Sequence, residues 1–157
     1  MHLPSIADEV LSKAIAEVKA KRIPVFTFAL YFDHESEALS VCVDTEDNSA
    51  RTSASINVYN AKHFHGAIQQ SDLRMAHLWQ ANVGRSLSIG DFVLVNAART
   101  EVLGIDQDEA LFLQLVRSLV AREFDVLNLA PSREKLIFAC SGLNSEVEYV
   151  WSAKSDT

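Results

Sequence analysis

The stretch VFTFALYFDHESEALSVCVD, residues 25–44, decides the fold of this chain. Residues 25–32 alternate and place one set of large apolar side chains on a single face: Phe26, Phe28, Leu30 and Phe32. Residues 38–44 alternate in the same way and gather a second apolar set: Leu39, Val41 and Val43. A period of two is typical of strands that bury one face. Because residues 33–37 between them are polar, the stretch predicts a β-hairpin.

One amphipathic helix is predicted before this hairpin and one after it. The first occupies residues 5–22, before Pro24, and repeats its apolar positions every four residues: Ile6, Val10, Ala14 and Val18. The second begins near Asp106, which has the spacing of a capping box to Glu109. Its apolar positions also fall four apart: Leu111, Leu115 and Leu119.

A second hairpin is predicted from the strands 135–140 and 146–151, joined by a turn at 141–145. Two hairpins can join in one antiparallel sheet, and the helices can cover its apolar face. The sequence therefore predicts an α+β, two-layer fold in a single domain, residues 1–152. Residues 153–157 are predicted to be a flexible tail.

The middle of the chain has a weaker pattern. Residues 45–53 are polar and predict an exposed loop. The spacing of Ala61, Phe64 and Ile68 indicates a helix, and Ser71 is predicted to cap a short helix that carries Met75 and Trp79. Residues 91–95 predict a short strand. The structure of residues 55–100 as a whole is not determined by these patterns.

Composition excludes several classes of protein. The formal net charge is −7, whereas a nucleic-acid binder needs a basic face. The chain shows no secretory signal and no apolar run of about 20 residues, so we expect a cytoplasmic protein that does not bind membranes. The two cysteines, Cys42 and Cys140, lie within predicted strands and are expected to be buried thiols without a disulfide.

No pattern of residues predicts catalysis or a cofactor. His63 and His65 would share a face in a strand and could then hold a metal, but in a helix they point about 200° apart. The helix is favoured, so no metal site is predicted. The five glycines form no phosphate-binding loop, and Ser141-Gly142 lacks the flanking glycines of a nucleophile turn. We therefore predict a protein that is not an enzyme.

Carboxylates supply the candidate binding residues. Six acids occur within residues 33–47 with no lysine or arginine between them: Asp33, Glu35, Glu37, Asp44, Glu46 and Asp47. The hairpin divides them into two acidic patches at its opposite ends. A third cluster, Asp106, Asp108 and Glu109, opens the last long helix, where the helix dipole favours acids. Such acids are either solvated loop residues or a recognition surface for a basic partner.

Parts of the first half of the chain resemble a group of small bacterial domains of unknown function, some of which are immunity proteins beside polymorphic or contact-delivered toxins. The resembling segments are the strand 26–31 with its acidic turn, the strand 39–43 with the acids that follow it, and Leu78-Trp79. The resemblance implies an inhibitor that binds a cognate toxin or effector protein and occludes its active site or a required surface. It implies no catalytic residue.

Two other functions fit the same sequence. One is a small hydrolase that uses scattered acids with His63 or His65, which would require a pocket that joins a histidine and two carboxylates. The other is a structural adaptor subunit that dimerises through the edge of a hairpin. The sequence does not set the oligomeric state.

Overall fold

The computed structural model describes residues 2–154, which form one mixed α+β arrangement. In chain order its elements are α1 (Leu3–Lys21), β1 (Thr27–Asp33), β2 (Ala38–Asp44), α2 (Glu46–Gln69), α3 (Leu73–His77), a 3-10 turn (Ile89–Asp91), β3 (Leu94–Glu101), α4 (Glu109–Val120), α5 (Glu123–Leu127), β4 (Ile137–Cys140) and β5 (Tyr149–Trp151). The predicted first helix, first hairpin and last long helix are confirmed. None of the helices in this part of the chain is both long and apolar enough to cross a membrane.

The five strands form one sheet in the order β3-β2-β1-β4-β5. Strands β1 and β2 pair antiparallel, with Phe28 opposite Val43, and β4 pairs antiparallel with β5. However, β1 pairs parallel with β4, with Ala29 opposite Ala139. The prediction of a purely antiparallel sheet was therefore wrong. Between β3 and β4 the chain passes through α4 and α5, and a helical connection of this kind allows a strand to return in the parallel direction.

The main hydrophobic core contains side chains from α1, α4 and one face of the sheet. Its largest fully buried residues include Phe28, Phe32 and Phe138. The opposite face carries a smaller cluster, in which Ile89 and Phe92 pack over small strand residues such as Ala29 and Cys42. Both faces of the central strands are therefore covered.

Cys42 and Cys140 are buried free thiols, as predicted. Burial raises the pKa of Cys140 to about 12 and also raises the pKa of Cys42. A thiol with a raised pKa holds little thiolate at neutral pH, so both cysteines have the character of apolar core residues.

Two predicted helix caps were wrong by one or two residues. Helix α3 is capped by Asp72 rather than Ser71, and Asp72 accepts from the backbone amide three residues on, at 2.9 Å. Ser71 has φ 57°, a left-handed conformation that a cap residue does not use. Helix α4 is capped by Asp108 rather than Asp106, again through an amide three residues on, at 2.9 Å.

The largest difference from the sequence prediction is α2. The predicted exposed loop 45–53 is instead the start of a helix of 24 residues, whose N-cap is Thr45. At 1.5 Å per residue this helix is about 36 Å long. The predicted strand 91–95 is also displaced, because a 3-10 turn occupies Ile89–Asp91 and β3 begins at Leu94.

The predicted tail lies partly outside the described residues, which end at residue 154. Within them, Ala153 packs against the main core and the backbone amide of Lys154 donates to Glu123 Oε1 at 3.2 Å. Strand β5 covers three residues of the predicted strand 146–151.

Candidate interaction surfaces

The turn between β1 and β2 is held by one of the predicted acids. Asp33 Oδ1 accepts from the backbone amides of Glu35 and Ser36, both at 3.1 Å, and Asp33 Oδ2 lies 3.4 Å from Arg99 Nη2. These contacts, first the backbone hydrogen bond from Ser36, hold the pKa of Asp33 below its usual value. Asp33 is therefore a structural part of the turn, whereas Glu35 remains exposed beside it.

The loop that follows β3 brings the third acidic cluster to the same turn. Gly104 donates its amide to Glu37 Oε2 at 3.4 Å, and Gln107 Nε2 donates to the carbonyl of His34 at 3.2 Å. Asp106 and Asp108 flank Gln107 in the sequence. Acids that are some 70 residues apart in the chain thus share one end of the sheet, which the sequence pattern did not predict.

Two further acids reach this end from the second hairpin. The Tyr31 hydroxyl donates to Glu146 Oε1 at 3.1 Å, and Glu148 Oε1 accepts from the backbone amide of Asn144 at 2.9 Å. Burial raises the pKa of Tyr31 to about 12, with further contributions from the hydrogen bond to Glu146 and from the charge of Asp33. The pKa of the Tyr31 phenol is thus raised by two carboxylates that come from different hairpins.

Together these residues form a surface that we call the acidic end. Its nine carboxylates are those of Asp33, Glu35, Glu37, Glu101, Asp106, Asp108, Glu109, Glu146 and Glu148. Within residues 2–154, the one ion pair that they make is between Asp33 and Arg99. Exposed apolar side chains lie among them, including Leu103 and Leu143. The acidic end is therefore negative and partly apolar.

The other predicted patch is smaller than expected, because Asp44 is fully buried. Its Oδ1 accepts from Asn48 Nδ2 at 2.8 Å and from the amide of Val93 at 3.1 Å, while its Oδ2 has no hydrogen-bond partner among the described protein atoms. Asp44 is thus a structural residue, and its prediction as a partner-binding residue was wrong. Glu46 and Asp47 remain exposed here, with Glu46 Oε1 3.1 Å from Lys135 Nζ.

Residues 48–88 form a second distinct surface, which we call the arm. The arm comprises most of α2, then α3, and then an extended segment, residues 80–86, that we call the strap. The buried residues of α2 are Ser49, Ser53 and Ala67, so no large apolar side chain of this helix enters the core.

Short polar side chains of α2 hold the strap in place. Asn57 binds the strap residue Asn82 twice: its Oδ1 accepts from the amide at 2.7 Å, and its Nδ2 donates to the carbonyl at 3.0 Å. The other three contacts join Asn60 to the Gln80 carbonyl, Ser53 to the Gly84 carbonyl, and Ser49 to the Ser86 amide. This polar ladder satisfies strap backbone groups that no strand pairs with.

The ladder works because two repeats match in length. Four helical residues rise about 6.0 Å, and two extended residues span about 6.6–6.8 Å. Side chains at positions 49, 53, 57 and 60 therefore meet every second residue of a chain that runs back along the helix. The sequence signal is a serine or asparagine at helical spacing on one face of α2, which an apolar periodicity does not reveal.

Arg85 fastens the end of the strap to the sheet. Its Nη1 donates to the carbonyl of Phe26 at 2.7 Å and to Thr27 Oγ1 at 3.0 Å, and its guanidinium lies 3.7 Å from the centre of the Phe26 ring. Burial lowers the pKa of Arg85. The arm thus leaves the sheet after the end of β2 and returns to it beside the start of β1. Both points lie at the opposite end of the hairpin from the acidic end. A seven-residue strand separates the two ends by about 20 Å.

The surface of the arm is apolar and mildly basic. Seven of the sixteen large apolar side chains that are exposed in the described chain belong to it: Val58, Tyr59, Ile68, Leu73, Met75, Leu78 and Val83. The arm carries four basic residues and one acidic residue, a formal charge of +3, whereas the rest of the chain carries ten basic and twenty acidic residues, or −10. Concentrated exposed apolar area typically marks an interaction site.

His63 and His65 both lie on α2 and therefore point apart, as the predicted helix requires. His63 stacks on Trp79 with ring centres 4.5 Å apart, whereas His65 lines a cleft of about 320 Å³ to which Trp79 also contributes. The residues that line this cleft are Asn57, Ala61, Phe64, Trp79, Gln80 and Ala81 besides His65. No carboxylate is among them, so the histidine–carboxylate pocket that the hydrolase alternative requires is not formed there. Among residues 2–154, no group of three histidine, cysteine or carboxylate side chains is placed so that it could hold a metal ion.

The geometry therefore shows two surfaces of opposite charge, the acidic end and the arm, at opposite ends of one hairpin. Comparison of this chain with protein-family models, with curated proteins and with solved structures found no match.

Proposed function

We propose that this chain binds another protein and neutralises it, in the manner of the immunity proteins that its first half resembles. The observation that carries this proposal is the gathering of nine carboxylates from three separate parts of the chain at the acidic end, where a single arginine makes an ion pair. The partner that fits such a surface is a basic toxin or effector protein. The two buried free thiols fit a cytoplasmic location, where thiols stay reduced.

The mechanism of inhibition follows from charge and rigidity. A protein that acts on nucleic acid carries basic residues where the phosphates bind, and a surface of carboxylates can occupy that site in their place. Attraction between opposite charges speeds the encounter, by tenfold to a thousandfold in steered pairs. The loops of the acidic end are already held by hydrogen bonds to Asp33, Glu37 and His34, so little conformational entropy is lost on binding.

The test is a set of charge reversals at exposed acids that hold no other part of the structure. Glu35→Lys, Glu101→Lys and Asp106→Lys meet this requirement, because these side chains neither cap a helix nor form an ion pair in the described chain. The matched control reverses three exposed acids away from the acidic end: Asp47→Lys, Asp91→Lys and Glu134→Lys. Both triple variants change the net charge by the same amount.

The partner is first isolated from native lysate with the tagged wild-type protein, and association rates are then measured at several salt concentrations. We expect the acidic-end variant to associate at least about tenfold more slowly at low salt and to lose most of its salt dependence. The control should keep the wild-type salt dependence and a rate within about threefold of wild type. Equal effects of the two variants would refute the acidic end as the binding site, since only total charge would then matter.

The adaptor function is favoured by a different observation, the exposed apolar surface of the arm. Dimerisation through the edge of the first hairpin is not available, because β2 is covered by β3 and β1 by β4. The free edges of the sheet belong to β3 and to β5, and β5 has three residues. Two surfaces of the described chain therefore remain for an adaptor: the arm, and the free edge of β3, which has eight residues.

A further inference from the structure

The two ends of this molecule are complementary to each other in charge and in apolar character. The arm has a formal charge of +3 and exposes seven large apolar side chains, and the acidic end presents nine carboxylates around exposed leucines. Opposite charge and apolar area on both sides are the features of a specific protein interface.

We infer that the arm of one copy docks on the acidic end of a second copy of this chain. The basic side chains Lys62 and Arg74 of the arm are exposed, and neither makes an ion pair within residues 2–154. Beside Arg74 on the same short helix, the leucine at position 73 is 76 % exposed. In the docked pair the two cations meet carboxylates of the acidic end, and Leu73 packs against the exposed Leu103 and Leu143.

The occupant is a second copy because the complement of the arm is present on the chain itself. The acidic end supplies both the charge and the apolar contacts that the arm lacks partners for. An anionic lipid surface fits less well, because the rest of the chain has a formal charge of −10 and would be repelled from it.

The two surfaces differ and lie at opposite ends of the hairpin, so the contact is heterologous when each pair of copies shares one such contact. A copy that docks through its arm still presents its own free acidic end. Heterologous contacts of this kind extend from one copy to the next, as rings or open chains. Self-association would also cover the acidic end, so it competes with the basic partner proposed above. The inference itself does not depend on that partner.

The inference is tested on the purified full chain alone, by sedimentation equilibrium over protein concentrations up to about 100 µM, which detects weak association. We expect dimers and larger species whose formation weakens as salt rises through screening. Apolar association without the charge contribution would instead strengthen with salt. A monomer at every concentration, or association that strengthens with salt, would overturn the inference.

Two variants that each lose one surface establish the head-to-tail arrangement. The arm variant carries Lys62→Glu and Arg74→Glu, and its control carries Lys19→Glu and Lys154→Glu, which change the net charge equally outside the arm. The second variant is the acidic-end triple reversal described above. Circular dichroism shows whether each variant is folded.

We expect the arm variant to be monomeric and its control to associate like the wild type. The arm variant keeps its acidic end, and the acidic-end variant keeps its arm. When the two variants are mixed, we therefore expect a 1:1 dimer and no larger species. Association of the arm variant with itself, or the absence of association when the two variants are mixed, would overturn the docking of the arm on the acidic end. If a variant does not fold, the salt series of the wild-type chain still decides the question.

Discussion

Replacement of Asn57 by alanine should release the strap from α2. Asn57 is the one ladder side chain that both accepts from and donates to the strap backbone, at 2.7 and 3.0 Å to Asn82. Each neutral hydrogen bond contributes a net of about 0.5–1.5 kcal/mol, so the two together contribute about 1–3 kcal/mol to strap closure. The population of the open strap should therefore rise by a factor of roughly 5–150, since 1.4 kcal/mol is tenfold.

The free energy of unfolding of the whole chain should fall by less than the free energy of strap closure. Alanine favours a helix interior over asparagine by roughly 0.6 kcal/mol, which offsets part of the loss when the whole chain unfolds. That gain cancels in strap opening, because α2 stays helical in both states. The free energy of unfolding of Asn57→Ala should thus fall by about 0.5–2.5 kcal/mol, while local exchange shows the full effect.

Hydrogen exchange of the strap amides is the suitable assay. The amide of Ser86 donates to Ser49, which is unchanged in the variant, so this amide should exchange faster in proportion to the open population, while amides of α1 and β1 keep their wild-type rates. The control is Ser55→Ala, an exposed position of α2 that makes no hydrogen bond to the strap. If the two variants give the same exchange at Ser86, the side chain of Asn57 does not hold the strap closed.

Three other substitutions test polar contacts outside the strap, two at the buried Asp44 and one at the exposed Glu146. Asp44→Ala should lower the free energy of unfolding by about 2–4 kcal/mol in denaturant titrations, because it leaves donors of Asn48 and Val93 without an acceptor. Asp44→Asn keeps one acceptor oxygen and should lose less; equal losses would contradict this explanation. Tyr31 has its pKa raised from 10.0 to about 12, so its contribution to stability is complete below pH 10 and is lost as pH rises through about 12. Glu146→Gln should lower this pKa in ultraviolet titrations, and only in part, because burial is the larger cause; an unchanged pKa would argue against the contact.

The central hairpin and the first helix were predictable because their signal is local. Residues 25–32 and 38–44 alternate between the two faces of the sheet, and the apolar positions of α1 repeat every four residues. Both patterns arise from burial in one core, which the periodicity of a sequence records directly. The direction of β4 was not predictable in the same way. Its residues are buried in either direction, and the connection through α4 and α5 decides that it runs parallel to β1.

The arm escaped prediction because α2 is held by polar contacts instead of apolar ones. Ser49 and Ser53 are buried against the strap and not in the core, so residues 45–53 have the composition of a loop. The asparagine at position 57 continues the same helical face. A search for short polar residues at helical spacing would have found this face. In residues 80–86, every second residue contacts this face of α2, which is the pattern of an extended segment packed along a helix.

Net charge gave an incomplete prediction of the binding surface for a related reason. The net charge of −7 is the sum of +3 on the arm and −10 on the rest of the chain. The net charge alone does not show where on the molecule the positive and negative residues lie. Of the six acids that the sequence singled out, Asp44 is buried, and the three of the turn join acids from distant parts of the chain that the hairpin pattern does not reach. The separation of charge along the sequence, with one acid between residues 48 and 88, was present in the composition of that segment. Charge counted by segment predicts two surfaces, whose partners have opposite charge. Charge counted over the whole chain predicts a single acidic surface.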